Sequence, residues 1–370
     1  MNGRTGVYLL VLALVLLYSA AWAKVGDLEI REILPLQAEQ RVKLVGLVQE
    51  DAEARELFEL RKAAVTGLLE KEPRPLKVIH YEGLVNTDPR RLETVQHLQD
   101  MDDLAALFEV WQVTGEERLA ERCRRYILAW TGSYIPTGND VNENKLSPVL
   151  VAWLGLKEGF SKEDAERIRT WMEEMGGKHA PVVREKQGEL TNRYTKSLRL
   201  LYLLGEGAGR EEWKELAFVG FQRFVTESLR AEGGSADLER RDTLTYHCSG
   251  LRPLLSLALL APKGEAWFGW ESPQGGSVKK SVEYVIPYAQ GTKTRKEWVN
   301  SVVELDRKRA AAGLEEYRIG RLFEPVQALP MLEEASRFDQ ELVELVLKLQ
   351  GGKVRRFGSW RMVLNEVMRN

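Results

Sequence analysis

Cysteine and histidine are scarce in this chain of 370 residues. It has two cysteines, Cys123 and Cys248, and four histidines, with no Cys-x-x-Cys and no His-Glu-x-x-His sequence. Zinc sites are built from such spacings, so the sequence predicts no metal site and no cofactor. Two cysteines do not form a disulfide framework, and Cys123 lies on an apolar helical face that favours a buried thiol. A bridge between the two stays an open alternative.

An excess of charge of either sign is also missing. The 53 lysines and arginines nearly balance the 55 aspartates and glutamates, which leaves a net charge of −2. Proteins that bind nucleic acid carry a basic surface, so this balance argues against that class. An acidic substrate remains compatible with it, because a basic cleft can lie on a nearly neutral protein.

A short apolar run stands at the N-terminus. Arg4 precedes the apolar residues 7–18, and Ala21-Trp22-Ala23 is a small-x-small sequence typical of signal-peptide cleavage. The run is too short to cross a bilayer comfortably. We expect residues 1–23 to be a signal peptide cleaved after Ala23, and the protein to be periplasmic or secreted without stable membrane insertion. An uncleaved anchor is the alternative.

Period-two alternation, the mark of a half-buried strand, is not found in any convincing run. Helical spacing is common instead, as in Leu104, Leu107, Phe108 and Trp111. The pattern predicts a helix from Pro148, a pair at 192–204 and 211–229, and shorter helices from Ser277, Lys296 and Glu333. Another helix is expected after the capping signal at Ser161. We expect it to stop at Gly176-Gly177, leaving His179 in a solvated loop.

Antiparallel helix pairs with short loops indicate an all-α fold, an incomplete (α/α) toroid or barrel. No low-complexity tract or Pro/Ser-rich linker divides the chain. The clearest break is Pro73-Arg74-Pro75. We therefore predict a single domain over 24–370, with an N-terminal helical section at 24–75 and a main body at 76–325.

The densest group of reactive side chains is the stretch from Arg240-Arg241 to Tyr246-His247, just after a Gly-Gly-Ser turn. Nearby positive charge favours the ionised form of a phenol, which is what an enzyme needs to use tyrosine as a base. If the stretch is one continuous helix, Arg241 and Thr245 share a face and Arg240 and His247 share the neighbouring one.

Three further polar stretches stand at loops or helix starts. Residues 80–86 begin with His80, and residues 136–145 include Asn139, Asn142, Asn144 and Lys145. Residues 191–196 contain Asn192, Arg193 and Tyr194. Each taken alone fits a turn or a helix cap. Together the four stretches offer amide, guanidinium, ammonium and phenol groups, which suit a polyhydroxylated anionic ligand such as an acidic polysaccharide.

In these motifs and their order the chain resembles the alginate lyase family, polysaccharide lyase family 5 and its relatives. That family opens one helix with Asn-Asn-His and later carries an Arg-rich segment ending in Tyr-His, followed by Pro-Leu. Here Asn192-Arg193-Tyr194 stands at the first place, and Arg240–His247 with Pro253-Leu254 at the second. A later run, from Pro287-Tyr288 to Asp306-x-x-Arg309, resembles a divergent bacterial branch. The histidine expected after the asparagines is absent.

The resemblance implies β-elimination on a 1,4-linked uronate polymer. It assigns Asn192, with Arg193 or an arginine of the 240–241 pair, to neutralising the substrate carboxylate. Tyr246 is then the acid and, without the histidine, also the base. The remaining candidates for substrate binding are His80, Asn139, Asn142, Asn144, Lys145, Tyr194, Arg240 and His247. The expected substrate is an alginate-like or glucuronan-like polymer. The alternative function is that of an (α/α) toroid that binds an acidic polysaccharide without cleaving it.

Tryptophans at helical spacing (Trp111, Trp130, Trp153 and Trp171) are interpreted as core residues. Trp267 and Trp270, in a glycine-containing loop, are the better candidates for stacking on a sugar ring.

Overall fold

Helices form nearly all the regular structure of the chain. A computed structural model describes residues 28, 30–85, 87–185, 190–352 and 355–369. The expected signal peptide, residues 1–23, lies outside the described residues. In the part that is described, no helix combines the length and the apolar character that crossing a membrane requires.

The α-helices of the described ranges are numbered here in chain order. They are α1 Ala38–Glu50, α2 Ala52–Val65, α3 Pro89–Thr114, α4 Glu117–Ser133, α5 Asp140–Glu143, α6 Ser147–Leu156, α7 Lys162–Glu185, α8 Asn192–Ala208, α9 Glu211–Ser228, α10 Ala236–Arg241, α11 Leu244–Leu260, α12 Gly264–Gly269, α13 Val278–Ala289, α14 Glu304–Ala311, α15 Leu329–Ala335, α16 Leu342–Leu349 and α17 Trp360–Met368. Short 3₁₀ turns also occur, among them Asn144–Leu146 and Glu315–Tyr317.

The centre of the fold is α8. It packs against α7, α9 and α11, and also touches α5 and α6. Most of its side chains are buried, including Leu198, Leu201 and Leu204, and it ends at Gly209 with φ +73°. A helix surrounded by other helices has to be apolar on almost every face. At its start, Asn192 is buried and the next residue, Arg193, is exposed.

Helix α7 departs from the prediction. It continues through Gly176-Gly177 to Glu185 rather than stopping there. A Cβ atom at Gly176 would lie 2.1 Å from the ring of Trp213, so this glycine serves close packing rather than termination. His179 is accordingly buried in α7, where its Nε2 lies 2.5 Å from Glu143 Oε2, and the expected solvated loop is wrong.

The stretch 240–247 is not one continuous helix either. Helix α10 ends at Asp242, whose φ of 53° lies in the left-handed region, and Thr243 caps α11 through its side chain. The Asp242 carboxylate binds the Arg295 guanidinium and accepts the Asn300 N–H at 2.9 Å. These bonds hold an aspartate in a conformation that costs free energy for a residue other than glycine. The register predicted for a single helix is therefore wrong.

Several other boundaries agree with the sequence. Helix α6 begins with Pro148 in its first turn, the Ser161 hydroxyl accepts the Asp164 N–H at 3.1 Å, and Ser277 caps α13. The helix expected from Lys296 is wrong. Lys296 instead pairs with Leu322 in an isolated bridge, and the next helix begins at Glu304.

Both cysteines are buried and free. Cys123 lies in α4 and Cys248 in α11, so the bridge that the sequence left open is not formed. Burial raises the pKa of both thiols, to about 12 for Cys248. A thiol that is protonated and buried behaves as a small apolar side chain.

Candidate functional site

Arg193 connects three of the four polar stretches. Its Nη2 and Nε donate to Asp140 at 2.6 and 3.2 Å, and its Nη1 donates to Glu82 Oε1 at 2.6 Å. The hydrogen bond with Asp140 raises the pKa of Arg193. The side chain is 52% exposed, so it forms part of the surface that a ligand meets. The start of α8 is thus tied to the 80–86 and 136–145 loops.

Asp237 connects the third stretch to the fourth. Its Oδ2 accepts the backbone N–H of Asn192 at 2.8 Å, and its Oδ1 lies 3.6 Å from Arg241 Nε. The carboxyl is buried, and burial raises its pKa. One carboxylate therefore holds both the first residue of the central helix and the last residue of α10.

Asn192 also lies beside α11. A Cβ atom at Gly250 would lie 3.7 Å from Asn192 Cβ, an ordinary van der Waals distance, so the two residues are neighbours. Tyr246 lies four residues before Gly250 on the same face of α11, at a rise of about 6 Å. The side-chain amide of Asn192 has no hydrogen-bond partner among the residues that the structure describes. Asn192, Arg241 and Tyr246 thus share one small region.

Tyr246 lies between two guanidinium groups. The Arg241 guanidinium covers its ring at 4.2 Å from the centroid and pairs with Asp306 at 2.6 Å. Arg309 Nη1 donates to Tyr246 Oη at 3.3 Å and to Tyr317 Oη at 2.5 Å, and the two phenol oxygens are 3.0 Å apart. Positive charge at a phenol oxygen favours its ionised form.

Sequence reasoning gave no role to Asp237, Asp306, Arg309, Tyr317 or Trp298. The Trp298 ring packs against both tyrosines, 5.6 Å from Tyr246 and 5.0 Å from Tyr317. The sequence did contain a sign of two of these residues, because Asp306-x-x-Arg309 is one of the motifs that resemble the family. The spacing puts both side chains on one face of α14, from which they reach Arg241 and Tyr246.

Two of the proposed substrate-binding residues point away from this region. His247 is buried, with Nε2 donating to the Ser281 carbonyl at 3.1 Å and Nδ1 accepting from the Ser235 hydroxyl at 2.7 Å. Burial lowers its pKa to about 4, so it is neutral. Tyr194 is buried as well, and its hydroxyl donates to the Val183 carbonyl at 3.2 Å. Both side chains are hydrogen-bonded to neighbouring segments of the protein.

Three of the candidate residues in the 136–145 loop also bind protein groups. Asn142 and Lys145 are buried, and their polar groups donate to the carbonyls of Ile79 and Leu28 at 2.8 Å in each case. The amide of Asn144 donates to the Lys196 carbonyl at 2.8 Å. These three side chains support the loops.

Asn139, His80 and Arg240 are left nearer the surface. The Asn139 amide donates to Glu82 at 2.8 Å beside Arg193, and the His80 side chain is exposed. The Arg240 side chain is half-buried, and its backbone carbonyl accepts the Val302 N–H at 2.9 Å. Asn139 is the member of this group that lies against the charged network of the site.

Trp267 lies far from Tyr246 along the fold. Its ring packs against Tyr202, Phe218 and Phe221 at centroid distances of 4.5 to 6.4 Å. Tyr202 is ten residues along α8 from Asn192, or about 15 Å. Trp267 and the half-buried Trp270 thus contact the core at the other end of the central helix. Trp130, Trp153 and Trp171 are buried, as predicted for core residues.

Within the described ranges, no group of three or more histidine, cysteine, aspartate or glutamate side chains is arranged to hold a metal ion. The carboxylates of the site are bound to arginines and backbone N–H groups instead.

The fold is shared with solved polysaccharide-degrading enzymes. An alginate lyase from Bacteroides ovatus superposes with a TM-score of 0.61 at 14% identity, over 89% of this chain and 97% of that one. Alginate lyase A1-III from Sphingomonas species A1 superposes with a TM-score of 0.53 at 14% identity, over 78% and 92%. The fold class predicted from the sequence, an (α/α) toroid of helix pairs, is confirmed.

The sequence itself places the chain in a family. The sequence profile of the alginate lyase family matches residues 49–297, a range that includes α2 to α13 and Tyr246. No curated protein matches the chain in sequence. The chain belongs to the alginate lyase family, and it is a polysaccharide lyase.

Proposed function

We propose that this protein is an exported lyase that cleaves a 1,4-linked uronate polymer, alginate-like or glucuronan-like, by β-elimination. The observation that carries the proposal is the position of Tyr246, with the Arg309 guanidinium at its oxygen and Arg241 over its ring. Membership of the alginate lyase family and the likeness to two alginate lyases of known structure support an acidic polysaccharide as substrate.

The chemical difficulty of the reaction is electrostatic. Removal of the C5 proton adds negative charge next to the uronate carboxylate, and preorganised donors must stabilise it. The Asn192 side-chain amide at the start of α8 and the half-exposed guanidinium of Arg193 are suited to this task. Arg241 lies over the Tyr246 ring and its side chain is 16% exposed, so we assign it to holding that ring.

Tyr246 is assigned to both proton transfers. As a phenolate it takes the C5 proton, the bond from C4 to the bridging oxygen breaks, and the phenol returns the proton to that oxygen. The products are an unsaturated uronate and a free hydroxyl, with the phenolate restored. This assignment needs no histidine, in keeping with Arg193 at the residue after Asn192.

The test is the ultraviolet absorbance of the unsaturated product. Purified protein is offered polymannuronate, polyguluronate, glucuronan and a glycosaminoglycan, and Tyr246→Phe is compared with the parent. A signal on one polymer, lost by at least about a hundredfold in the variant, supports the assignment. Activity of Tyr246→Phe within a few-fold of the parent rejects Tyr246. Binding to a polymer without any absorbance supports the non-catalytic alternative.

Export is tested separately. The expected cleavage after Ala23 gives a mature chain beginning at Lys24. Mass spectrometry of the protein recovered from the periplasm or medium of an expressing bacterium should give that N-terminus. A full-length chain retained with the membrane fraction would contradict cleavage and support the uncleaved anchor.

A further inference from the structure

A second phenol lies at the site, on a segment distant in sequence. Tyr317 ends the 3₁₀ turn Glu315–Tyr317 and is buried, and its Oη is 3.0 Å from Tyr246 Oη. Arg309 Nη1 donates to both oxygens, and the Arg309 guanidinium lies 4.8 Å from the centroid of the Tyr317 ring. Trp298 packs against both rings and fixes their relative position. The three polar groups form a triangle in which each is hydrogen-bonded to the other two.

The protons of this triangle can be counted. A guanidinium only donates, so each phenol oxygen is an acceptor from Arg309. The contact between the two hydroxyls holds one further proton, and either tyrosine can supply it. If Tyr246 is ionised, the Tyr317 hydroxyl donates to its oxygen, which then receives hydrogen bonds from both Tyr317 and Arg309. Hydrogen bonds to the charged form of a group favour that form.

We propose that Tyr317 is a positioning residue that keeps Tyr246 ionised by donating a hydrogen bond from its hydroxyl to the Tyr246 oxygen. The inference rests on the proposed function, in which Tyr246 is the base. Tyr317 retains its own proton throughout. Tyr246 takes the proton from C5 and delivers it to the bridging oxygen as the C4–O bond breaks, so no further reactant is required.

Other charged groups act on the same phenol. Arg241 lies over the Tyr246 ring, and Asp306 pairs with Arg241. Glu297 is buried beside the preceding residue, where it accepts from both the N–H and the hydroxyl of Thr245 at about 3 Å. The charged and titratable groups on the elements around Tyr246 include Asp237, Arg241, Glu297 with its ion-pair partner Arg321, Asp306, Arg309 and Tyr317. Of these, Arg309 and Tyr317 contact the reactive oxygen.

The test removes one hydroxyl. Tyr317→Phe keeps the ring against Trp298 and Arg309 but deletes the donor to Tyr246. One hydrogen bond to a charged group corresponds to about one to two pKa units. We expect the rising limb of kcat/KM against pH to move up by about one to two units, with activity approaching that of the parent at high pH. A loss by the same factor at every pH would overturn the role.

A second measurement needs no substrate. Tyrosine ionisation is followed by ultraviolet absorbance against pH in the parent and in Tyr246→Phe. Subtracting the second curve from the first gives the titration of Tyr246 alone. In the Tyr317→Phe background the titration of Tyr246 should move to higher pH. Tyr202 is a buried tyrosine at the other end of α8, so Tyr202→Phe should leave the Tyr246 titration unchanged. Arg309→Gln should move it in the same direction. An unmoved Tyr246 titration in Tyr317→Phe rejects the proposal. A moved titration in a protein without lyase activity rejects the proposed function alone.

Discussion

Asp237 fixes the start of the central helix: its Oδ2 accepts the Asn192 backbone N–H at 2.8 Å, while its Oδ1 lies 3.6 Å from Arg241 Nε. The backbone N–H groups of a first helical turn lack partners within the helix and carry partial positive charge. A buried carboxylate satisfies one of them here and at the same time orients an arginine. The geometry around Tyr246 therefore depends on a residue that does not contact the phenol.

Substitution Asp237→Asn should lower kcat/KM by about tenfold, equivalent to about 1.4 kcal/mol. The amide keeps an acceptor for the Asn192 N–H but loses the charge that holds Arg241 over Tyr246. Asp306 still pairs with Arg241, so activity should not vanish. Steady-state kinetics and thermal unfolding of the variant check this. The exposed Glu239 of the same helix supplies the control, Glu239→Gln, and equal losses in both variants would contradict the role.

Arg193→Lys should raise KM several-fold with a smaller effect on kcat. Lysine keeps the charge but cannot bridge Asp140 and Glu82 with a planar fork. The matched control is Arg210→Lys, which alters a similarly exposed arginine that bridges Glu212 and Glu173 beyond the other end of α8. An exposed ion pair contributes up to about 1 kcal/mol, so neither variant should unfold. An unchanged KM for Arg193→Lys would remove Arg193 from the binding surface.

Two adjacent glycines in α7 should respond to alanine in opposite directions. A Cβ at Gly176 would meet the Trp213 ring at 2.1 Å, so Gly176→Ala should cost about 1–3 kcal/mol of unfolding free energy. At Gly177 nothing lies within 4 Å of the added atom, and Gly177→Ala should stabilise the helix by about 0.5–1 kcal/mol. Denaturant unfolding measures both. Shifts of the same sign would show that Gly176 is not a packing site.

The stability of the protein should depend on pH through His247. Burial lowers its pKa from 6.5 to about 4, so between these values the unfolded chain binds a proton that the folded chain does not. The free energy of unfolding should therefore fall as the pH drops from about 6.5 to about 4, by a total on the order of 3 kcal/mol. Glutamine at position 247 cannot titrate, so the difference in the free energy of unfolding between the parent and His247→Gln should shrink as the pH drops through this window. His80→Gln, at an exposed histidine, is the control, and a constant difference for His247→Gln would contradict the prediction.

Much of the fold was readable from the sequence because helical periodicity and caps are local. The spacing of apolar residues around Leu104 and Trp111, the cap at Ser161 and the proline at 148 predicted helices that the structure contains. Two of the three failures in predicting helices have clear tertiary causes. Gly176 is required by the ring of Trp213, and Asp242 is held in a left-handed conformation by Arg295 and Asn300, which lie more than fifty residues away.

The sequence by itself determined the all-α class and the family motifs, and it singled out the stretch Arg240–His247, which contains Tyr246, as the candidate site. It could not decide which arginine serves the phenol, because both Arg240 and Arg241 are near it in sequence. The structure places Arg241 over the ring and Arg309 at the oxygen. The break at Asp242 turns Arg241 back onto Tyr246, and α14 brings Arg309 from a distant segment. Such contacts depend on how helices pack, which no local pattern of residues specifies.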